Sequence, residues 1–340
     1  MVLFNLGGPD RLEAVRPFLM NLFTDPAILR VPFFIRPFLA RIIAKARVKP
    51  AIANYMLLGG RSPLLDLTRA QAAALEAALP DINAKCFIAM RYWHPLSDDT
   101  AWAVKAWAPD QVLLLPLYPQ YSSTTVGSSL LAWREAAARA GLVAPTTTVC
   151  CYPTDPAFIE ATASLVQVGY QAARDTLDPR CSLRVLFSAH GLPQVIIRHG
   201  DPYQWQVEQT VTAIVTALGI PELDWTICYQ SRATPQKWIG PSTDAEVERA
   251  GRNKVAVLVV PIAFVSEHSE TLVELDVEYK HLADRSGVPG YFRVPTQNTD
   301  GGFINALARL ALSVLAQGPG VYSHMPTRIC PAGYQACPHK

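Results

Sequence analysis

Lys254-Val-Ala-Val-Leu-Val-Val-Pro-Ile262 runs directly into Ala263-Phe-Val-Ser-Glu-His-Ser-Glu-Thr-Leu-Val-Glu-Leu-Asp-Val-Glu278, and the junction of these two stretches decides the fold. The first is an apolar run of strand length. The second places Leu272, Val273, Leu275 and Val277 at helical spacing, so a strand feeds a helix. The same alternation recurs along nearly the whole chain and predicts βα units with parallel sheets. Candidate strands are Val2–Leu6, Lys85–Arg91, Gln111–Leu117, Thr146–Cys151, Leu183–Ser188, Trp225–Tyr229, Lys254–Ile262 and Tyr291–Val294. Helical patterns fill the gaps, among them Leu65–Ala78, Pro156–Arg174, Tyr203–Leu218 and Ser269–Ala283. The strands fall into two sets of four. The expectation is an α/β protein of two doubly wound, Rossmann-like domains, 1–155 and 156–318, whose parallel four-stranded sheets face a central cleft, with a Cys-containing tail over 319–340.

The length of 340 residues, half of them apolar, exceeds what one core usually organises, in keeping with two domains. Thirty Lys and Arg stand against 28 Asp and Glu, and no basic run forms a stripe that could follow a phosphate backbone, which sets nucleic acid aside as a partner. Seven cysteines without secreted-framework spacing fit a reducing, cytoplasmic setting. The start, Met1-Val-Leu-Phe-Asn-Leu, reads as a strand, not as a signal peptide or an anchor, and a strand so close to the first residue suggests that a few residues precede it. Val31–Ala46 is the one membrane-like stretch, but Pro32, Arg36, Pro37, Arg41 and Lys45 interrupt it and it is shorter than the ~20 residues of a span. Its helical part, Phe34–Lys45, fits a core-facing helix, a lid over a greasy substrate or a peripheral membrane contact. No feature of the sequence sets an oligomeric state.

Ligands of such sheets bind outside the carboxyl ends of the strands, and that is where the unusual residues collect. Arg91-Tyr-Trp-His-Pro95, Tyr118-Pro-Gln-Tyr121, Ser188-Ala-His-Gly191, Tyr229-Gln-Ser-Arg232 and the run to Glu270 all follow strands. Gly7-Gly8-Pro9 lacks the G-x-G-x-x-G spacing of a dinucleotide fingerprint and reads as a tight turn. A lone histidine is usually structural. His190, however, sits at a strand tip in the same half as a row of carboxylates, and imidazole suits both iron ligation and proton transfer at neutral pH. Glu270, Glu274 and Glu278 recur every four residues, an arrangement that costs a helix stability on any single face, so an exposed face and a path for cations or protons are the two readings. His268 beside Glu267 adds a second titratable pair. Singly, the aromatics Tyr118, Tyr121, Tyr229, Trp238 and Phe264 are ordinary packing; together at strand ends they resemble walls for a planar macrocycle.

These motifs, with Asn5-Leu-Gly-Gly-Pro9, Gly60-Arg-Ser-Pro63, Gly127-Ser-Ser129, Gly200-Asp-Pro-Tyr203 and Pro261-Ile-Ala-Phe-Val-Ser-Glu-His-Ser-Glu-Thr-Leu272, make the chain similar to ferrochelatases over essentially all of its length. The resemblance implies a chelatase-type fold, and insertion of Fe²⁺ into protoporphyrin IX with release of two protons, the terminal step of haem biosynthesis. It implies that His190 and Glu270 form the metal-site pair with His268 in support, and that Glu274 and Glu278 continue an acidic path. Arg47, Tyr55 and Ser62 are then expected by the porphyrin propionates, and Leu6, Arg91, Tyr92, Trp238 and Phe264 against the ring. An aliphatic residue at Leu6, where coproporphyrin-specific members often carry tyrosine, favours protoporphyrin IX. A cobalt chelatase of the corrin pathway is the nearer enzymatic alternative; a non-catalytic haem- or metal-binding module has no need of an inward row of carboxylates. Some members hold a [2Fe–2S] cluster, which takes four ligands, usually cysteine. Here the tail offers Cys330 and Cys337, and Ser123 stands where the animal members have their internal ligand. Two readings follow: free thiols, or a cluster completed by two of Cys150, Cys151 and Cys181.

Overall fold

The structure is a computed structural model that describes residues 1–231 and 236–339; Arg232 of the Tyr229-Gln-Ser-Arg motif lies outside the described residues. In chain order the elements are β1 (Val2–Asn5), α1 (Val15–Thr24), α2 (Arg36–Leu57), α3 (Leu64–Ala77), β2 (Phe87–Met90), α4 (Ser97–Trp107), β3 (Val112–Pro116), α5 (Val126–Ala140) and β4 (Thr146–Cys151). There follow α6 (Pro156–Thr176), β5 (Leu183–His190), α7 (Gln194–Arg198), α8 (Tyr203–Leu218), β6 (Trp225–Gln230), α9 (Thr243–Asn253) and β7 (Ala256–Pro261). A π-helix, Glu270–Glu278, continues into α10 (Tyr279–Ser286), and β8 (Tyr291–Arg293), α11 (Gly301–Leu315) and β9 (Gly320–Ser323) complete the order.

Two compact units result. The first comprises Met1–Cys151 with Ala308–Ile329 and the last residues from Pro338; the second comprises Tyr152–Leu307 with Cys330–Cys337. Each carries one parallel sheet, ordered β2-β1-β3-β4-β9 in the first unit and β6-β5-β7-β8 in the second. Within each unit the first four strands thus follow the order 2-1-3-4, the doubly wound pattern whose switch point, between the first and third strands, is where ligands bind. The sheets are buried because βα crossovers cover both faces. Val2, Phe4 and Leu114 pack with Val104 and Trp133 in one unit, and Leu186, Val257 and Val259 pack with Val247 and Leu275 in the other.

The α/β architecture is the expected one, with three differences of detail. The first sheet has five strands, not four, because β9 pairs parallel with β4. Four residues containing glycine, at a sheet edge, leave no apolar run to find. The chain also does not divide at 155 and 318 into two domains and a separate tail. It crosses back inside α11, whose face is apolar throughout, and the tail is shared: β9 joins the first unit, while Cys330–Cys337 packs with the second. Finally, the helix expected over Ser269–Ala283 is a π-helix for its first nine residues.

α2 divides the 31–46 stretch and its continuation between a packed face and an exposed one. Ala44, Tyr55 and the partly buried Val48, Ala51 and Ile52 turn inward to a cluster with Val15, Phe18 and Trp93, so one face does pack on the core. The other face leaves Phe38 and Ile42 66 % and 51 % exposed, with Phe33 and Phe34 exposed just before it. No helix among the described residues is long and apolar enough to cross a membrane.

Candidate active site

β5 delivers His190 to the carboxyl edge of the second sheet at the switch point, where β5 lies between β6 and β7. Residue 191 must be glycine there. A Cβ on Gly191 would approach the Gln230 carbonyl oxygen to 2.9 Å and the Trp238 ring to 3.3 Å. The strand tip is fixed further by the Tyr203 hydroxyl, which donates to the His190 carbonyl oxygen at 3.0 Å.

β7, on the other side of β5, leads through Ile262–Ser269 into the π-helix, whose first residue is Glu270. The two side chains meet: His190 Nδ1 lies 2.8 Å from Glu270 Oε2. His268 completes the group, with Nε2 at 3.8 Å from the same oxygen and Nδ1–H donating to the Ser266 carbonyl oxygen at 3.1 Å. Its ring packs against Phe264 at 4.6 Å between centroids. When His190 Nδ1–H donates to the carboxylate, Nε2 keeps its lone pair, the tautomer a proton acceptor or metal ligand needs.

The electrostatics follow from this packing. Burial favours neutral imidazole, but the charge and hydrogen bond of Glu270 outweigh it and raise the His190 pKa above 6.5. For Glu270, burial alone pushes the carboxyl up; the charge and hydrogen bond of His190, with His268 behind it, overcome this and hold it well below the usual carboxylate range. Glu274 behaves oppositely. Burial and the neighbouring Glu270 charge raise it, against hydrogen bonds from Ser231 and Gln230. Adjacent carboxylates whose affinities for protons are driven apart are a common acid–base signature.

Gln230, a residue quoted in a motif but given no role by the sequence, ties this group together. Its Nε2 donates to the Glu270 carbonyl oxygen at 3.1 Å and to Glu274 Oε2 at 3.0 Å, while its Oε1 accepts from Ser188 Oγ at 2.9 Å. A glutamine at the end of the mostly apolar run Trp225–Tyr229 was the signal available in the sequence. The row Glu270, Glu274, Glu278 runs from two partly buried carboxylates to an exposed one.

The first unit holds the remaining expected residues. Ser62 and Tyr55 gather at Gly8: a Cβ there would collide with the Ser62 side chain and come within 3.9 Å of the Tyr55 hydroxyl. Arg47 is exposed on α2, two turns before Tyr55, and Leu6 is partly buried at the end of β1. Tyr92 departs from its expected role against a ring. It is fully buried, and its hydroxyl donates to Asp25 Oδ2 at 2.8 Å. Arg91 Nη2 donates to the same oxygen at 2.7 Å and Arg91 Nε to Ser128 Oγ at 2.6 Å. Asp25, a single acid in a helix-terminating turn, gave no pattern in the sequence.

In the tail, Cys330 and Cys337 are both buried, and Gln206 Nε2 donates to Cys330 Sγ at 3.1 Å. Among the described residues no group of three or more His, Cys, Asp or Glu side chains is arranged to hold a metal ion.

The ferrochelatase family model matches residues 1–315. The chain belongs to the ferrochelatase family. It is 53 % identical to the ferrochelatase of Caulobacter vibrioides over 99 % of this chain and 96 % of that one. It is 52 % identical to that of Phenylobacterium zucineum over the same shares, and 46 % identical to that of Pelagibacter ubique over 99 % and 97 %. Among solved structures, SirB from Bacillus subtilis with Fe3+ covers 72 % of this chain and 88 % of its own at a TM-score of 0.50 and 16 % identity, a likeness of fold.

Proposed function

We propose that this protein inserts Fe²⁺ into protoporphyrin IX with release of two protons, the last step in making haem. The observation that carries the reading is the His190–Glu270 contact of 2.8 Å at the switch point of the second sheet, in a chain of this family. Metallation exchanges two pyrrole N–H protons for a cation. His190 Nε2 accepts a proton from the ring; Glu270, already ionised, stabilises the imidazolium formed and offers an oxygen to the arriving iron. Glu274, held by Gln230 and Ser231, and the exposed Glu278 supply the route by which the cation enters or protons leave. Arg47, Tyr55 and Ser62 take the propionates; Leu6, Trp238 and Phe264 contact the ring, with Arg91 beside them through its part-exposed guanidinium. Tyr92 supports this wall from within.

The test is anaerobic mixing of purified protein with protoporphyrin IX and Fe²⁺, followed by absorption, with Co²⁺ and Zn²⁺ in competition. Turnover with iron and protoporphyrin supports the reading. Preference for cobalt and a corrin-pathway tetrapyrrole assigns the chain to that alternative, and preference for coproporphyrin overturns the inference from Leu6.

The exposed Phe33, Phe34, Phe38 and Ile42, interleaved with Arg41, Lys45 and Lys49, support peripheral contact with an anionic membrane. Sedimentation with anionic vesicles that is lost in a Phe34→Ser, Phe38→Ser variant supports it, and equal behaviour with neutral vesicles or none removes it. Cys330 and Cys337 are the tail's candidate [2Fe–2S] ligands. A brown, anaerobically purified protein that serine at either position bleaches supports ligation, and a colourless one means free thiols.

A further inference from the structure

A nine-residue π-helix is an uncommon backbone form, since its i→i+5 turns are wider and less well bonded than those of an α-helix. Side chains from β8 brace it. Arg293 Nε and Nη2 donate to Asp276 Oδ1 and Oδ2 at 2.6 and 2.7 Å, a bidentate fork. Its Nη1 donates to Glu267 Oε1 at 2.8 Å, and that oxygen also accepts the Thr296 N–H at 2.9 Å. One guanidinium, its side chain only 12 % exposed, therefore ties a residue just before the π-helix to one near its end. Tyr291, on the same strand, donates its hydroxyl to the Leu275 carbonyl oxygen at 2.6 Å, adding a bond to the backbone of the wide turns.

The bracket encloses the chemistry. Glu267 adjoins His268, and Glu270 and Glu274 lie between Glu267 and Asp276. Val273 and Leu275 bury the inner face, so the apolar packing sets which face of the helix meets the sheet, and the polar contacts add to the hold on its register.

We propose that Arg293 is a positioning residue for metallation: by bracing Glu267 against Asp276 it holds the π-helix in the register that brings Glu270 to His190. The inference rests on the reading of His190 and Glu270 as the metallation pair. A merely structural ion pair predicts lost stability and unchanged chemistry per folded molecule. A positioning role predicts lost turnover with intact porphyrin binding, because small misplacement of a reacting group is costly. Lysine cannot reproduce the fork and restores only part of the rate.

The experiment compares Arg293→Lys, Arg293→Gln, Asp276→Asn and His190→Ala in the full-length protein. Circular dichroism, kcat and the porphyrin KM are measured for each. We expect kcat to fall ~10- to 100-fold in Arg293→Gln and Asp276→Asn with KM within about twofold of wild type, and Arg293→Lys to lie between. If Arg293→Gln does not fold, Asp276→Asn, which keeps the Arg293–Glu267 arm, carries the test. Folded Asp276→Asn and Arg293→Lys with wild-type kcat, beside an inactive His190→Ala, overturn this inference alone. An active His190→Ala overturns the reading beneath it.

Discussion

Asp25, which is buried, and Glu270, which is partly buried, are carboxylates in different units, and each draws more than one side chain to a single oxygen. Asp25 Oδ2 receives Arg91, the Tyr92 hydroxyl and the Ser128 hydroxyl, and burial pushes the Tyr92 phenol well above its ordinary value. None of these donors gives up a proton near neutrality. Glu270 Oε2 faces two imidazoles, the side-chain type suited to proton transfer near neutrality. On the proposed reading, a carboxylate with several partners is a lock in one unit and a proton-handling group in the other, and what separates them is the chemistry of the partners.

The sharpest way to break that contrast is His190→Ala. Iron insertion should fall at least ~100-fold while circular dichroism stays unchanged, the range expected for loss of a general base. Wild-type-like steady-state turnover would falsify the assignment. Asp25→Asn should do the reverse. Removing one partner of a buried charge pair costs about 3 kcal/mol, read from the denaturant midpoint, with kcat per folded molecule near wild type. If turnover falls in Asp25→Asn and stability does not, the two carboxylates share a role and the contrast fails.

A smaller effect sharpens it through pH. Glu270 is depressed in the folded state, so its contribution to stability is complete above its ordinary value of 4.5 and is lost as pH falls through the folded value. His190 is raised, so its contribution is complete below 6.5 and is lost as pH rises through the folded value. The pair should therefore stabilise the fold most between those limits, and a plot of Tm against pH should decline on the alkaline side. That decline should disappear in His190→Ala; if it persists unchanged, another group is responsible.

Much of this was legible because apolar runs ending in polar residues are strong signals. β5 and β7 are visible as apolar runs, with His190 at the tip of the first and Glu270 in the polar segment that follows the second. The π-helix was not: apolar residues at 272, 273, 275 and 277 satisfy a helical pattern whichever carbonyl each N–H chooses. α9 is weakly marked in the sequence because Thr243–Asn253 is mostly polar and buries only a narrow stripe, with Ser242 capping its start. Ring contact by Arg91 and Tyr92 is what the family resemblance implies. Their shared partner, Asp25, lies 66 and 67 positions away in sequence, and no local pattern links them. The tail illustrates the same limit. Ala336 N–H donates to the Gly200 carbonyl oxygen at 3.1 Å, and Tyr334 packs on Trp205, contacts between segments with no common periodicity.

The most direct test of the central claim is a single turnover with Glu270→Gln. Wild type and variant, each preloaded with protoporphyrin IX, are mixed anaerobically with Fe²⁺ and followed by absorption. Glutamine keeps the shape of the side chain and removes the charge that faces His190. The account predicts porphyrin affinity within about twofold of wild type and metallation of the bound ring slowed at least ~10-fold, since the lost charge acts on the cation and the protons. Weakened porphyrin affinity with bound-state metallation at the wild-type rate would contradict it and move Glu270 out of the metal site.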